Sequence, residues 1–241
     1  MSSPYRPRRR LSDDAAAFIA RLRARGPDAV LDELRRVILA GDAAPGMTIP
    51  PDEVGAIFGV SVIPVREALK TLVGEGLVEH RPRAGYTVAS LTPAELHELY
   101  LVRGVLEQAA LGAAVANATP ADHERARAAH DALDKALVDG DERAYHRESR
   151  CFHLALVAPA GMHRLQAMLE SAWNLTEPYR PMALVPPPER AGLHGEHQQM
   201  LAAFVAGDAA TLLECARRHH DHLRQAIGAL FSRQEPPCAS S

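Results

Sequence analysis

Asp52-Glu-Val-Gly-Ala-Ile-Phe58, then Gly59-Val-Ser61, then Pro64-Val-Arg-Glu-Ala-Leu-Lys-Thr-Leu-Val-Gly-Glu75 read as two short helices joined by a tight turn. Gly76 ends the second helix, and the pattern then changes to β. Leu77-Val-Glu-His-Arg81 and Gly85-Tyr-Thr-Val-Ala89 are two short strands joined by Pro82-Arg83-Ala84, a small hairpin. Upstream, Val30, Leu34, Val37 and Ile38 mark an amphipathic helix that stops near Gly41, and Ala44-Pro-Gly-Met47 is a turn. Helix, helix-turn-helix and hairpin follow one another in the order of a winged helix, which is expected over residues 27–90.

Working outward, residues 1–26 read as a disordered basic arm followed by a short helix. Ser12-Asp-Asp-Ala supplies an N-cap and acids, Ala15, Phe18, Ile19 and Leu22 follow at helical spacing, and Gly26-Pro27 stops the helix. From Leu91 onward the chain is helical, with Thr92 as an N-cap and Pro93 at the first position. Helices are expected at about 93–117, 120–138, 141–158, 161–182, 189–206 and 208–231. Ala118-Thr-Pro120, Asp139-Gly140, Pro159-Ala-Gly161, Val185-Pro-Pro-Pro188 and Gly207-Asp208 separate them. No strand signal interrupts them, so residues 91–232 form a bundle and 233–241 a disordered tail. The fold class is mainly α: an N-terminal winged helix-turn-helix, α with a small β-hairpin wing, plus a C-terminal all-α helical bundle.

The composition suits two modest domains of an ordinary soluble protein, with 241 residues, 47% hydrophobic and 24% charged. No uninterrupted apolar run approaches the roughly 20 residues of a membrane span. The basic start lacks the apolar stretch of a secretory signal. Cys151, Cys215 and Cys238 are too few and too scattered for a disulfide framework. The expected location is the cytoplasm, with no membrane partner. The net charge of −3 averages unlike halves: residues 1–90 carry 13 Lys/Arg against 11 Asp/Glu, and residues 91–241 carry 14 against 19. His80 lies in the first part and the other eleven histidines in the second. A mildly basic head on an acidic, His-rich body points to two different jobs.

The second helix of a helix-turn-helix enters the major groove and presents its first turn to base edges and phosphates. Here Ser61 caps that helix and offers a hydroxyl to phosphate. Arg66, one turn in, suits a guanine or a phosphate, and Lys70 a backbone contact. The wing tip, Arg81-Pro-Arg83-Ala-Gly85, is compact and basic enough to reach the minor groove or sugar-phosphate. The rival reading is a winged helix used only for protein contacts, with Arg66 salt-bridged to Glu67 or Glu75.

The run from Leu34 to Val88 resembles the GntR winged helix in the order and spacing of its motifs. These are Leu34-Arg-Arg-Val-Ile-Leu-Ala-Gly41, Pro45-Gly46, Gly59-Val-Ser61, Pro64-Val-Arg-Glu-Ala-Leu69, Leu72, Glu75-Gly-Leu-Val78 and Gly85-Tyr-Thr-Val88. The chain departs from the family pattern at Asp52, Val62 and Ile63, where relatives carry Arg, Arg and Thr. Val62 and Ile63 suit thymine methyls, which implies an altered operator.

Residues 93–231 resemble the FCD effector domain of the FadR-like subfamily, on Leu99-Tyr-Leu-Val-Arg103, Glu107, Phe152-His153, Glu196-His197, Gly207-Asp208 and His219. That resemblance implies a divalent metal, zinc or nickel, held by His153, His197 and His219. The family's Asp, four residues before the first of these, is Ser149 here, a poor ligand that leaves water or an effector to complete the site. His146 returns to the face of His153 and is a further candidate, while His194 and His222 suit supporting positions. Arg103 and Glu107, four apart, either pair with each other or hold an organic-acid effector. Tyr179 and Arg180 either line the same pocket or lie on the surface, and Trp173 and Phe204 belong to the core. The resemblance implies a homodimeric regulator, a repressor, on an inverted-repeat operator, controlled by a small carboxylate. The alternatives are a regulator that senses the metal itself and a three-His metalloenzyme.

Overall fold

In a computed structural model of the chain, the described residues are 12–23, 29–179 and 185–232, with side chains through 227. The expected arm over the first ten residues, the Gly26-Pro27 stop, Arg180 and the tail at 233–241 lie outside them. The chain divides into two compact units, Met1–Ser90 and Leu91–Ser241.

In the first unit α1 (Asp13–Ile19) is capped by Ser12, whose side chain accepts from the Ala15 N–H. Then follow α2 (Val30–Leu39), β1 (Thr48–Ile49), α3 (Pro51–Phe58), α4 (Val62–Gly74), β2 (Val78–Arg81) and β3 (Gly85–Val88). The sheet order is β1-β3-β2, all antiparallel, with Thr48 opposite Thr87 and His80 opposite Tyr86. β1 is a third strand beyond the expected hairpin. The apolar positions of the amphipathic helices turn inward: Leu34, Val37 and Ile38 of α2 are buried with Val54, Val65, Leu69, Leu72 and Val88. α4 begins at Val62, two residues before the expected Pro64, because proline is tolerated within the first turn. Gly59, at φ +67°, ends α3 in the left-handed conformation that glycine favours. Gly55 faces the turn so closely that a Cβ there would sit 2.9 Å from the Val60 carbonyl oxygen.

The second unit contains α5 (Pro93–Asn117), α6 (Pro120–Val138), α7 (Glu142–Val157), α8 (His163–Thr176), α9 (Pro187–Ala206) and α10 (Ala209–Ser232). α5 and α6 open on capping boxes, Thr92 with Glu95 and Thr119 with Asp122. A 3-10 turn at Ala158–Ala160 precedes α8. A second, Glu177–Tyr179, follows α8, which ends at Thr176 rather than near 182. α5 is long and apolar enough to span a membrane by length and composition, with mean hydropathy 1.3 over its best window. Instead it runs through the bundle, burying Leu96, Tyr100, Arg103, Glu107 and Leu111 against α8 and α10. Phe152, Trp173 and Phe204 join the main apolar core, as expected for the last two.

Candidate functional site

α4 presents an exposed face bearing Ile63, 68% exposed, with Arg66 and Lys70. Ser61 is the N-cap but makes no side-chain capping bond, so its exposed hydroxyl is not spent on the helix. Val62 is half-buried beside it. Neither acid proposed as a local partner for Arg66 takes that role: Glu67 accepts from Lys70 at 2.8 Å, and Glu75 is held by Arg35 through two bonds of 2.6 and 3.1 Å. The Lys70–Glu67 pair is open to solvent and worth little, so a phosphate can displace it. In the wing, Arg81 pairs with Glu79 at 2.9 Å, and Arg83 stands exposed at φ +70°, a left-handed conformation uncommon for arginine. Gly85 follows at φ +93°. Ile63, Arg66, Lys70, Arg81 and Arg83 are thus each exposed, while Gly85 is half-buried.

The second unit brings three histidines together from three helices: His153 of α7, His197 of α9 and His219 of α10. His197 Nε2 lies 3.1 Å from His153 Nε2 and 3.2 Å from His219 Nε2. The rings are oriented from behind. Glu107, fully buried on α5, lies 2.6 Å from His153 Nδ1, and Glu196 lies 3.1 Å from His219 Nδ1. Histidine ligands are commonly held this way, with a carboxylate on the outer nitrogen and the inner one directed at an ion. Burial, then the neighbouring His219 and His153, hold His197 well below the ordinary imidazole range, and burial brings His219 down to about 4. Both are therefore neutral near pH 7 and offer lone pairs. The His197 Nδ1 atom is buried without a partner among the described residues. Three buried Nε2 atoms crowded at ligand spacing fit a borderline divalent cation.

Sequence reasoning missed Glu107 and Glu196 in these roles and did not single out His220. Burial pushes the Glu107 carboxyl up, but His153 and His220 together hold it well below the usual range. His220 Nε2 lies 3.2 Å from Glu107 Oε2, so Glu107 is spoken for and does not pair with Arg103. Gly104 makes room for that arrangement: a Cβ there would meet His220 Cγ at 3.2 Å.

Arg103 is instead a buried guanidinium without a carboxylate in ion-pair range among the described residues. It lies over Trp173, 3.2 Å from the ring centre, and 4.6 Å from that of Tyr100, and it donates to Thr176 Oγ1 at 3.2 Å. Burial pulls its pKa down, although an arginine stays charged at any physiological pH. Arg103, His146, Ser149, His153, Trp173 and His219 line one small cavity of about 10 Å³. That volume holds about one water. Within the cavity wall, His146 Nε2 is bonded to Glu177 at 2.7 Å. Tyr179 is drawn elsewhere, with its hydroxyl accepting from the Leu91 N–H. Of the histidines expected in support, His222 bonds Glu196, while His194 turns to Asp134.

Comparisons with known proteins agree with both halves. The family described as bacterial regulatory proteins, gntR family, matches residues 27–88, and the FCD domain matches residues 98–222. The chain is 30% identical over 203 residues to the HTH-type transcriptional repressor GlaR of Escherichia coli K12, covering 77% of this chain and 88% of that protein. It is 29% identical over 189 residues to the HTH-type transcriptional regulator McbR of the same strain, covering 77% and 85%. The solved structure of E. coli McbR/YncC superposes with a TM-score of 0.73 at 26% identity, over 86% of this chain and 97% of that one. Relatives of this kind are regulators, not enzymes, which removes the metalloenzyme alternative. The chain belongs to the GntR family of bacterial transcription regulators, in the FadR-like subfamily whose helical half is an FCD domain.

Proposed function

We propose that this regulator is a cytoplasmic homodimer that represses from an inverted-repeat operator and is released by a small carboxylate bound in its helical half. The observation that carries the reading is one cavity lined by His153 and His219, two of the three convergent imidazoles, together with a buried Arg103 that has no carboxylate in ion-pair range among the described residues. His153, His197 and His219 would hold a zinc or nickel ion, which when bound supplies a Lewis-acidic point for an oxygen ligand. Ser149, in the position of the family's Asp, lines the cavity and leaves the donor set one carboxylate short. Arg103 supplies a planar, charge-assisted clamp for a second oxygen pair. With room for about one water, the cavity admits an organic acid only as side chains around Arg103 move. Binding therefore selects a rearranged bundle, and that differential affinity is what can bias DNA binding. On the DNA side, Arg66 and Arg83 face the duplex, with Val62 and Ile63 in reach of thymine methyls. Two-fold symmetry of the dimer would set the half-site spacing.

The test is a mobility shift of the DNA upstream of the gene itself, using protein stripped of metal and then reloaded with zinc or nickel. Specific binding that a short-chain carboxylate weakens, and that the His197→Ala variant no longer modulates, is the expected result. Failure to bind that DNA specifically at low salt overturns the reading. The tightness of the cavity favours one second reading, a regulator that senses the metal itself. Operator binding that follows metal alone, with no carboxylate effect, would select it.

A further inference from the structure

A different cluster lies one turn along α9 from the three-histidine centre. His130 and Asp134 stand four apart on α6, so they share a face, and His194 reaches them from α9, which packs on α6. Asp134 lies 2.6 Å from His194 Nε2 and 3.3 Å from His130 Nδ1, and all three atoms fall within 4.8 Å of one another. The imidazoles are nearly buried, at 5% and 12% side-chain exposure, whereas the carboxylate is 52% exposed. Two nitrogen donors thus sit below an oxygen donor at the surface, open to an ion arriving from solvent.

Packing sets the rings. His130 stands edge-on to Phe152 at 5.6 Å, and His194 lies 5.9 Å from the buried Tyr145 ring. Their outer nitrogens, His130 Nε2 and His194 Nδ1, are buried with no partner among the described residues. Both rings turn their other nitrogen to the same carboxylate. Tetrahedral ligands on bonds of ~2.0–2.1 Å are about 3.3 Å apart, the spacing already present between His130 and Asp134.

We propose that His130, Asp134 and His194 form a second divalent-cation site, joining α6 to α9 and distinct from the three-histidine centre. Two imidazoles and one carboxylate select zinc, cobalt or nickel over magnesium or calcium, which prefer all-oxygen sets. The remaining positions face solvent and take water. The site lies close to the other: the His194 and His197 rings are 6.2 Å apart and nearly perpendicular.

The experiment is cobalt(II) titration of the stripped full-length chain, with bound metal counted by elemental analysis after gel filtration. Wild type, Asp134→Asn and His197→Ala are compared, with folding followed by circular dichroism. The half-exposed Asp134 carboxylate is replaced there by an amide of the same shape. Two equivalents are expected for wild type and one for Asp134→Asn, which also loses part of the cobalt-induced rise in Tm. Asp134→Asn holding as much cobalt as wild type, equally tightly, overturns the proposal, as does saturation of the site by magnesium. If His197→Ala alone leaves the count unchanged, the three-histidine reading fails while this one stands.

Discussion

Replacing Arg103 by methionine separates what this side chain does for the fold from what it does for a ligand. The unbranched methionine retains much of the apolar stem between Trp173 and Tyr100, so no large cavity opens. Stacking of a desolvated guanidinium on an aromatic ring is worth about 2 kcal/mol, which the variant loses. The bond to Thr176 also goes, but Thr176 still donates to the Trp173 carbonyl at 2.9 Å, so no hydroxyl is stranded. Against these losses, removing a buried charge in favour of an apolar group of similar size commonly gains ~1–4 kcal/mol. The balance runs from about 2 kcal/mol of destabilisation to about 1 kcal/mol of stabilisation, a Tm change between roughly −8 and +4 °C for a domain this size. Carboxylate binding moves the other way. Two charge-assisted hydrogen bonds at ~1.5–3 kcal/mol each amount to at least a hundredfold loss of affinity. Scanning calorimetry with and without succinate and other short-chain acids measures both quantities on one sample. An undiminished carboxylate response in the variant, whatever its Tm, would refute the reasoning and make Arg103 a structural residue.

Three further outcomes follow from the same geometry. Arg66→Ala should weaken operator binding by ~1–3 kcal/mol, and an equal loss on scrambled DNA would reassign Arg66 from base to phosphate. Gly55→Ala drives a Cβ against the Val60 carbonyl, a cost of ~1–3 kcal/mol partly offset by about 1 kcal/mol of helix propensity. Urea unfolding and operator affinity should both fall, and an unchanged affinity would mean the turn absorbs the methyl. Burial pushes Tyr100 up to about 12 from an ordinary 10. Its contribution to stability is complete below pH 10 and is lost as pH rises toward 12, because the unfolded chain ionises first. Two units correspond to ~3 kcal/mol, so the stability difference between wild type and Tyr100→Phe should change by about that much across this window.

The winged helix was legible because its signals are local: a turn between two short helices, then a hairpin closed by Pro82-Arg83-Ala84. β1 escaped because two residues, Thr48 and Ile49, carry no period, and only pairing with β3 makes them a strand. The early end of α8 had a readable cause in Pro178, which falls in the 3-10 turn after it. In the bundle, the three histidines were identified through the family resemblance and do converge. Their carboxylate partners were not foreseen as such, since Glu107 lies 46 residues from His153 and Glu196 lies 23 from His219. Those contacts depend on how helices are rotated against one another, which no helix's own sequence specifies. Trp173 shows the same limit. As a core residue it was expected, but its role as a platform for Arg103, 70 positions away, arises only when α5 meets α8.

Gly104 carries a consequence for how this regulator can vary. The residue belongs to neither the imidazole cluster nor the first unit, yet any side chain on it leans on His220, which faces the carboxylate that aligns His153. The displacement needed is only a few tenths of an ångström, too small to unfold the bundle. A methyl group there would act as a tuning screw, shifting the alignment of His153 through two intervening side chains while leaving all three convergent histidines in their original identity.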